Sequence, residues 1–271
     1  MTEMHALKES TRETQEPEEF LRFSVGQRLE HWVLVFTFFA LVATGLPQKF
    51  HDAALSVWII ETLGGIDNAR LFHRIFATVF IFESGYHLGA AAVSVLQSRF
   101  GLSMVPTPQD FRDAFDWLRY SVGITSRRPH FDRYDYKEIF EYWGIVFGAV
   151  IMIATGLVLW FPTYATRFLP GEVVAAAKEM HSGEALLAFL IIVMWHFYSV
   201  IFSPNVFPLD PSMFNGKISR ERMIEEHARE YARLMGIKGA PPHPSQQSTA
   251  GGSSQQPPNG SRGAPRQMDP R

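Results

Sequence analysis

His73 and His87 stand 14 residues apart, and His181 and His196 stand 15 apart, in or beside two mostly apolar runs. At about 100° and 1.5 Å per helical residue, the second histidine is turned by about −40° and +60° from the first. Each pair therefore lies on one broad helix face, its members roughly 21–22 Å apart along the axis. Two such helices place two His–His pairs at two depths. A fifth histidine, His31, opens another apolar run. A neutral imidazole binds iron, and two axial imidazoles in an apolar bundle suit a buried haem. A zinc or di-iron site would need its ligands within one small sphere, which a separation of about 20 Å between the levels rules out. A histidine proton relay that Glu83 could join is the alternative, but it leaves the matched spacing on two helices unexplained. Ionisable groups inside a membrane are costly and tend to be functional.

Composition narrows the chemistry further. The 271 residues include no Cys, which excludes a disulfide framework, a thiolate zinc site, an iron–sulfur cluster and CxxCH-attached haem. Any redox centre must rest on His, carboxylates or Met. The net charge of −2 lacks the basic excess of a nucleic-acid binder, so no nucleic-acid partner is expected. A mean hydropathy of −0.02 looks soluble, but it averages polar ends with an apolar middle.

The histidines need helices to hold them, and the apolar residues fall into four runs: about His31–Leu46, Leu71–Leu96, Tyr142–Phe161 and Ala185–Phe202. A membrane helix needs about 20 mostly apolar residues; the first and third runs reach this with their aromatic ends, and the fourth if it starts near His181. The second is interrupted by His73, Arg74, Glu83 and His87. A soluble bundle would show a polar face at helical period, and VLVFTFFALVATGL and GIVFGAVIMIATGLVLWF show none. The fold expected is an all-α membrane protein, a four-transmembrane-helix bundle. Lys and Arg number four before the first run, seven between the second and third, and nine after the fourth. That bias is expected to put the N- and C-termini and the middle loop of a multi-pass membrane protein in the cytoplasm.

The domain plan is a polar N-terminal segment over 1–21, a four-helix membrane domain over 22–240, and a disordered Pro/Gly/Ser/Gln-rich tail over 241–271. The middle loop, about 100–137, holds a helix that Thr107 can cap, with Pro108 in its first position. Phe111, Phe115 and Leu118 give that helix an apolar stripe for the membrane surface or the bundle. A second, charged cytoplasmic helix is expected over about 218–235.

The chain also repeats itself. Glu30-His31-Trp32 is followed, twelve residues after the Trp, by Thr44-Gly45-Leu46; Glu141-Tyr142-Trp143 is followed at the same distance by Thr155-Gly156-Leu157. Phe36 and Phe147 share a register, as do Ala43 and Ala154. The internal two-helix repeat pairs His87 with His196 and sets His31 opposite Tyr142. Gly45, Gly85, Gly89, Gly148, Gly156 and Gly183 are small positions that admit either a flat macrocycle or close helix packing. Arg28 and Arg74 are candidates for haem propionates, or else anchor helix ends at the headgroups.

Several motifs, in this order and spacing, carry a family resemblance: Arg28-Leu-Glu-His31-Trp32, Thr44-Gly45, Arg70-Leu-Phe-His73, Tyr142-Trp143 through Thr155-Gly156 to Trp160-Phe161-Pro162, His181, His196 and Met213-Phe-Asn-Gly216-Lys-Ile-Ser219. From about residue 22 to 234 the chain resembles the di-haem cytochrome b membrane subunits of respiratory formate dehydrogenases and nickel–iron hydrogenases, within the cytochrome b/b6-like group. The resemblance implies four membrane helices, two haem b groups and electron transfer between a partner oxidoreductase on the outer side and a quinone near the cytoplasmic side. It implies His73 and His181 as ligands of the outer haem, and His31 and His196 as ligands of the inner one. It also implies a quinone pocket at positions matched by Asp135 and Glu138, carboxylates here where the formate enzyme has amides.

The resemblance and the repeat disagree at one place. The family has no histidine matching His87, whereas the repeat makes His87 the counterpart of His196. His73, His181 and His196 serve in both readings; His31 and His87 compete for the fourth place, unless a third haem exists. The spare histidine would suit the quinone site. The 15-residue spacing on the fourth helix is one longer than in the formate dehydrogenase subunits and resembles cytochrome b6.

With no motif for hydride transfer or nucleophilic catalysis, the chain is expected to transfer electrons for a partner that converts the substrate. That partner would be a periplasmic oxidoreductase, an iron–sulfur subunit or a multihaem cytochrome. The alternatives are a haem-free membrane anchor or His/Glu proton pathway, and a stand-alone ferric or cytochrome reductase.

Overall fold

The computed structural model describes residues 18–96 and 103–241. The predicted tail beyond its first residue, most of the polar segment over 1–21, and Arg99 lie outside the described residues.

The described chain opens with strand β1 (Glu19–Leu21) and helix α1 (Val25–Lys49). The short α2 (Ala54–Thr62) leads into α3 (Ile66–Leu96). The middle loop carries α4 (Pro108–Ser121), then come α5 (Tyr136–Trp160) and the single turn α6 (Pro162–Ala165). Helix α7 (Glu172–Ile191) continues through π-helical turns at Ile192–His196 and Tyr198–Phe202. The turn α8 (Ser212–Asn215), strand β2 (Lys217–Ser219) and helices α9 (Arg220–Glu226) and α10 (Ala228–Met235) follow.

Four helices are long and apolar enough to cross a membrane: α1, α3, α5, and α7 with its π turns. The all-α membrane bundle expected from the four apolar runs is the fold observed. α1 and α5 both begin in capping boxes, Ser24 with Gln27 and Asp135 with Glu138, which satisfy the free N–H groups of the first turn. α4 starts as expected at Thr107 and Pro108, with Asp110 closing the box.

α1 packs on α3 and α5 on α7; α7 also meets α1, while α3 and α5 touch only lightly. Small residues sit in the contacts, with Thr37, Thr44, Ala69, Thr155 and Ala177 buried. Large apolar side chains such as Phe82, Phe147 and Met194 point outward, as helices solvated by lipid require. The π turns explain the fifteenth residue between His181 and His196. A wide turn absorbs one extra residue, so the α7 histidines keep nearly the relation of the 14-residue pair on α3.

At the end of the bundle that carries both described termini sits a small polar cap. β1 pairs antiparallel with β2, Phe20 opposite Ile218. Phe20, Ile218, Met223 and Tyr231 form its apolar core. The stretch read as one helix over 218–235 is two strand residues followed by two helices broken at His227. The break frees the Arg229 amide to donate to the Phe131 carbonyl at 3.0 Å, and His227 Nδ1 to donate to the Asp132 carbonyl at 2.8 Å. Those two bonds tie the middle loop to the C-terminal helices. Asp113 of α4 is buried against Arg229, which donates to its two oxygens at 2.6 and 2.8 Å. α4 thus docks by its polar face and leaves Phe111, Phe115 and Leu118 exposed.

Candidate functional site

At the end of the bundle away from the cap, the rings of His73 on α3 and His181 on α7 have centroids 6.2 Å apart. At the capped end, the rings of His31 on α1 and His196 have centroids 6.3 Å apart. α7 thus supplies one imidazole to each level. A metal–imidazole bond is about 2.0–2.1 Å long; with roughly 1.1 Å from nitrogen to ring centre, two rings across one metal atom have centroids about 6.3 Å apart. Both pairs have the spacing of two imidazoles that share one metal atom, and the residues fit haem.

Hydrogen bonds set which ring nitrogen is available. Thr44 Oγ1 donates to the Ala40 carbonyl at 2.7 Å and lies 3.0 Å from His73 Nδ1. The hydroxyl has one proton, and the carbonyl receives it. His73 must therefore donate its Nδ1 proton to Thr44, leaving Nε2 bare for a metal. Thr155 repeats this, donating to the Ile151 carbonyl at 2.6 Å and accepting from His181 Nδ1 at 3.0 Å. At the capped level, Glu141 Oε2 stands 3.1 Å from His196 Nδ1 and fixes that ring in the same sense. His31 Nδ1 is buried without a partner among the described residues.

The glycines closest to these rings make room for them. A Cβ on Gly45 would come within 2.9 Å of His73 Cε1, and one on Gly156 within 3.2 Å of His181 Cε1. Gly148 holds Glu184 in a similar way, whereas Gly85, Gly89 and Gly183 have open space beside them.

His87 stands apart from the paired rings. Its Nδ1 lies 2.8 Å from Glu30 Oε2 and its Nε2 lies 3.1 Å from the Tyr142 hydroxyl. Arg28 donates from Nη1 to the Phe214 carbonyl, and Arg74 lies over the Trp160 ring. Each is thus beside one histidine level with a protein partner already. Asp135 caps α5, accepting from the amides of Lys137 and Glu138 at 2.9 and 2.8 Å. Glu138 accepts from the Asp135 amide at 2.9 Å and from Arg22 at 2.7 Å. Burial, followed by the Glu138 charge, holds the Asp135 carboxyl above the usual carboxylate range.

Sequence reasoning did not assign roles to four residues that matter here: Thr44, Thr155, Glu30 and Glu141. They marked the repeat, and the repeat was the signal. Its residues are the ones that hold the imidazoles. The paired tryptophans are equivalent too, Trp32 donating to the Met213 carbonyl at 3.1 Å and Trp143 to the Met104 carbonyl at 2.8 Å.

The profile of the family described as prokaryotic cytochrome b561 matches residues 22–216. The chain belongs to the prokaryotic cytochrome b561 family. It is therefore a b-type cytochrome, a multi-pass protein of the bacterial inner membrane, and the haem-free anchor and stand-alone reductase are not favoured. Among its relatives is the cytochrome b556(Fdn) subunit of the nitrate-inducible formate dehydrogenase of Escherichia coli K12, 23% identical over 209 residues, 75% of this chain and 86% of the relative. The cytochrome b556(fdo) subunit of formate dehydrogenase from the same strain is 22% identical over 217 residues, covering 79% and 92%. The formate dehydrogenase cytochrome b556 subunit of Haemophilus influenzae is 24% identical over 182 residues, covering 66% and 69%.

Proposed function

We propose that this cytochrome b holds two haem b groups and passes electrons across the membrane between a partner redox subunit and the quinone pool. His73 and His181 would hold one haem, and His31 and His196 the other. The observation that carries the reading is the nearly equal separation of two imidazole pairs at two depths, 6.2 and 6.3 Å between ring centroids, a span that one metal atom between them would fill. His87 is left out of the ligand set because Glu30 and Tyr142 already occupy both its nitrogens. When bound, haem would supply one-electron transfer at each imidazole pair.

The chain's own residues prepare those sites. Thr44 and Thr155 hold two rings with Nε2 bare, and Glu141 orients a third. Arg28 and Arg74, which here meet the Phe214 carbonyl and the Trp160 ring, would be the cations available to pair with haem carboxylates. The apolar bundle in its membrane would keep water from both levels.

The Lys/Arg bias supports a cytoplasmic position for the capped end. On that reading the His31–His196 level is the inner one, and quinone exchanges there. Asp135 and Glu138 would then meet the water that supplies quinone protons, and the raised affinity of Asp135 for a proton suits that task. A partner of the oxidoreductase or electron-carrier class would dock on the opposite face, as befits a relative of formate dehydrogenase subunits.

The test is the purified, haem-loaded protein. Two low-spin b haems per chain, both reducible by an added quinol, are expected. A protein with no reduced-haem α-band, or with one haem only, would overturn the assignment.

A further inference from the structure

Helix α4 leaves its apolar side largely uncovered among the described residues. Phe111, Phe115, Leu118 and Val122 follow one another at spacings of four, three and four, and so fall within about 60° of one another around the helix. They are 71, 62, 53 and 61% exposed. Gly123, at φ 76°, ends the helix in a left-handed turn, and Ile124 beyond it is also exposed. Single apolar residues on a surface are ordinary, but a contiguous stripe of large ones marks a contact surface.

The rest of the helix is already engaged, so it cannot roll to hide the stripe. Asp113, turned about 200° from Phe111, is buried and accepts twice from Arg229. The Trp117 ring lies 5.8 Å from that of Tyr136, with the Lys137 ammonium 5.7 Å from its centroid. On the Asp113 side a cleft of about 770 Å³ opens between α4, the loop over 125–130 and α10. Its lining of Arg119, Arg127, Arg128, Arg229 and Arg233 suits water and ions, not apolar groups.

We propose that α4 is an in-plane helix, its Phe111–Phe115–Leu118–Val122 stripe seated at the boundary of head groups and acyl chains in the membrane that the four long helices cross. The stripe is continuous with a surface that lipid already covers. Trp143 stands seven residues inside α5, about 10 Å along its axis, and donates from Nε1 to the Met104 carbonyl at 2.8 Å. The segment entering α4 is thus pinned two turns down a membrane-spanning helix, on which Phe140 and Phe147 point outward as Phe111 and Phe115 do. An apolar stripe held beside that surface meets lipid. The flanking charge fits as well. Arg112 and Arg119 are exposed along one edge of the stripe, where long stems can lie on acyl chains and carry their guanidinium groups to the phosphates. Because Asp113 ties α4 to α10, a seated stripe also fixes the cap against the membrane surface.

The chain has no Cys, so a single introduced thiol can be labelled alone. The full-length, haem-loaded protein carries a nitroxide at Phe111→Cys, Phe115→Cys or Leu118→Cys, or on the cleft side at Asp116→Cys. Each is placed in nanodiscs of phosphatidylethanolamine and phosphatidylglycerol. Power saturation compares collisions with oxygen, which concentrates in lipid, and with a nickel chelate, which stays in water. The logarithm of the oxygen-to-nickel ratio should be positive at the three stripe positions and negative at Asp116→Cys, a change of sign across one helix. An unaltered haem spectrum shows that each labelled protein is folded; should Phe115→Cys lose haem, Phe111→Cys and Leu118→Cys carry the same comparison. A negative value along the stripe would overturn the proposal by placing α4 in water. Poor collision with both reagents would overturn it too, by showing that a second copy or a partner protein covers the stripe.

Discussion

The first helix pair, α1 with α3, and the second, α5 with α7, follow one hydrogen-bond plan and complete it with different residues. At the level away from the cap the halves match: Thr44 with His73, Thr155 with His181, both at 3.0 Å. At the capped level Glu30 with His87 matches Glu141 with His196. The divergence is one residue on each first helix, His31 in one half and Tyr142 in the other. A duplicated scaffold can therefore prepare four imidazoles alike and still assign them different chemistry, because the group across the bundle decides what the free nitrogen meets.

The strongest way to break this comparison is to remove the counterparts in turn. His196→Ala should lower the haem content from two per chain to one, whereas His87→Ala should leave both haems in place. Pyridine haemochrome quantitation on the purified variants reads the difference directly. Equal losses would mean that His87 is a ligand and that the two halves are equivalent at the capped level as well.

A smaller effect is expected where the halves agree. Thr44→Val and Thr155→Val each remove the acceptor for an imidazole Nδ1 proton while keeping the shape of the side chain. Loss of such an outer partner weakens metal-site affinity by about 10–100-fold, and matched geometry predicts matched losses. Haem retention during dilution, followed optically, checks this. A response from only one threonine would show that the repeat is one of sequence and not of function.

Much of this plan was legible in the sequence. Membrane helices announce themselves through run length and the lack of a polar face. The Thr-Gly-Leu and Glu-x-Trp registers marked the positions that turn out to hold the rings. What stayed hidden depended on contacts between distant segments. Whether His31 or His87 faces His196 is a matter of how α1, α3 and α7 rotate against one another, which spacing along single helices leaves open. The break at His227 was unreadable for the same reason: its partners, the carbonyls of Phe131 and Asp132, lie nearly a hundred residues upstream. The π turns in α7 hid behind an apolar run with no proline to mark them.

The cap is where the halves are joined, and it should respond to acid. Arg22, just before α1, is 4% exposed and pairs with Glu138 of α5 at 2.7 Å. Burial, with the Arg22 charge second, pushes the neighbouring His227 imidazole down to about 3. In the unfolded chain that ring titrates near 6.5, so below this pH the unfolded chain takes up a proton that the folded cap refuses. The contribution of His227 is therefore complete above pH about 6.5 and shrinks as pH falls toward about 3. Between pH 7.5 and 5.5 the loss should be about 1 kcal/mol. Hydrogen-exchange protection of β2 and α9, corrected for intrinsic rates, should fall over that interval, and less so in His227→Asn, which keeps a donor for the Asp132 carbonyl. An identical pH slope in the variant would remove His227 from the account.

The finest distinction between the halves lies at their two ring-facing glycines. Adding a Cβ at Gly45 brings it 2.9 Å from His73 Cε1, closer than carbon atoms tolerate, whereas the same addition at Gly156 leaves 3.2 Å to His181 Cε1. Neither ring can swing away freely, because Thr44 and Thr155 hold their Nδ1 atoms. Overpacking of this kind costs about 1–3 kcal/mol. Gly45→Ala should fall toward the upper end of that range and Gly156→Ala toward the lower, with a difference of about 1 kcal/mol. Thermal release of the haem proposed to bind His73 and His181 should therefore begin a few degrees earlier in Gly45→Ala. If Gly156→Ala proves the more damaging, the second helix pair is the tighter clamp, and the near-symmetry of the two threonine–histidine contacts conceals a stiffer α5–α7 half.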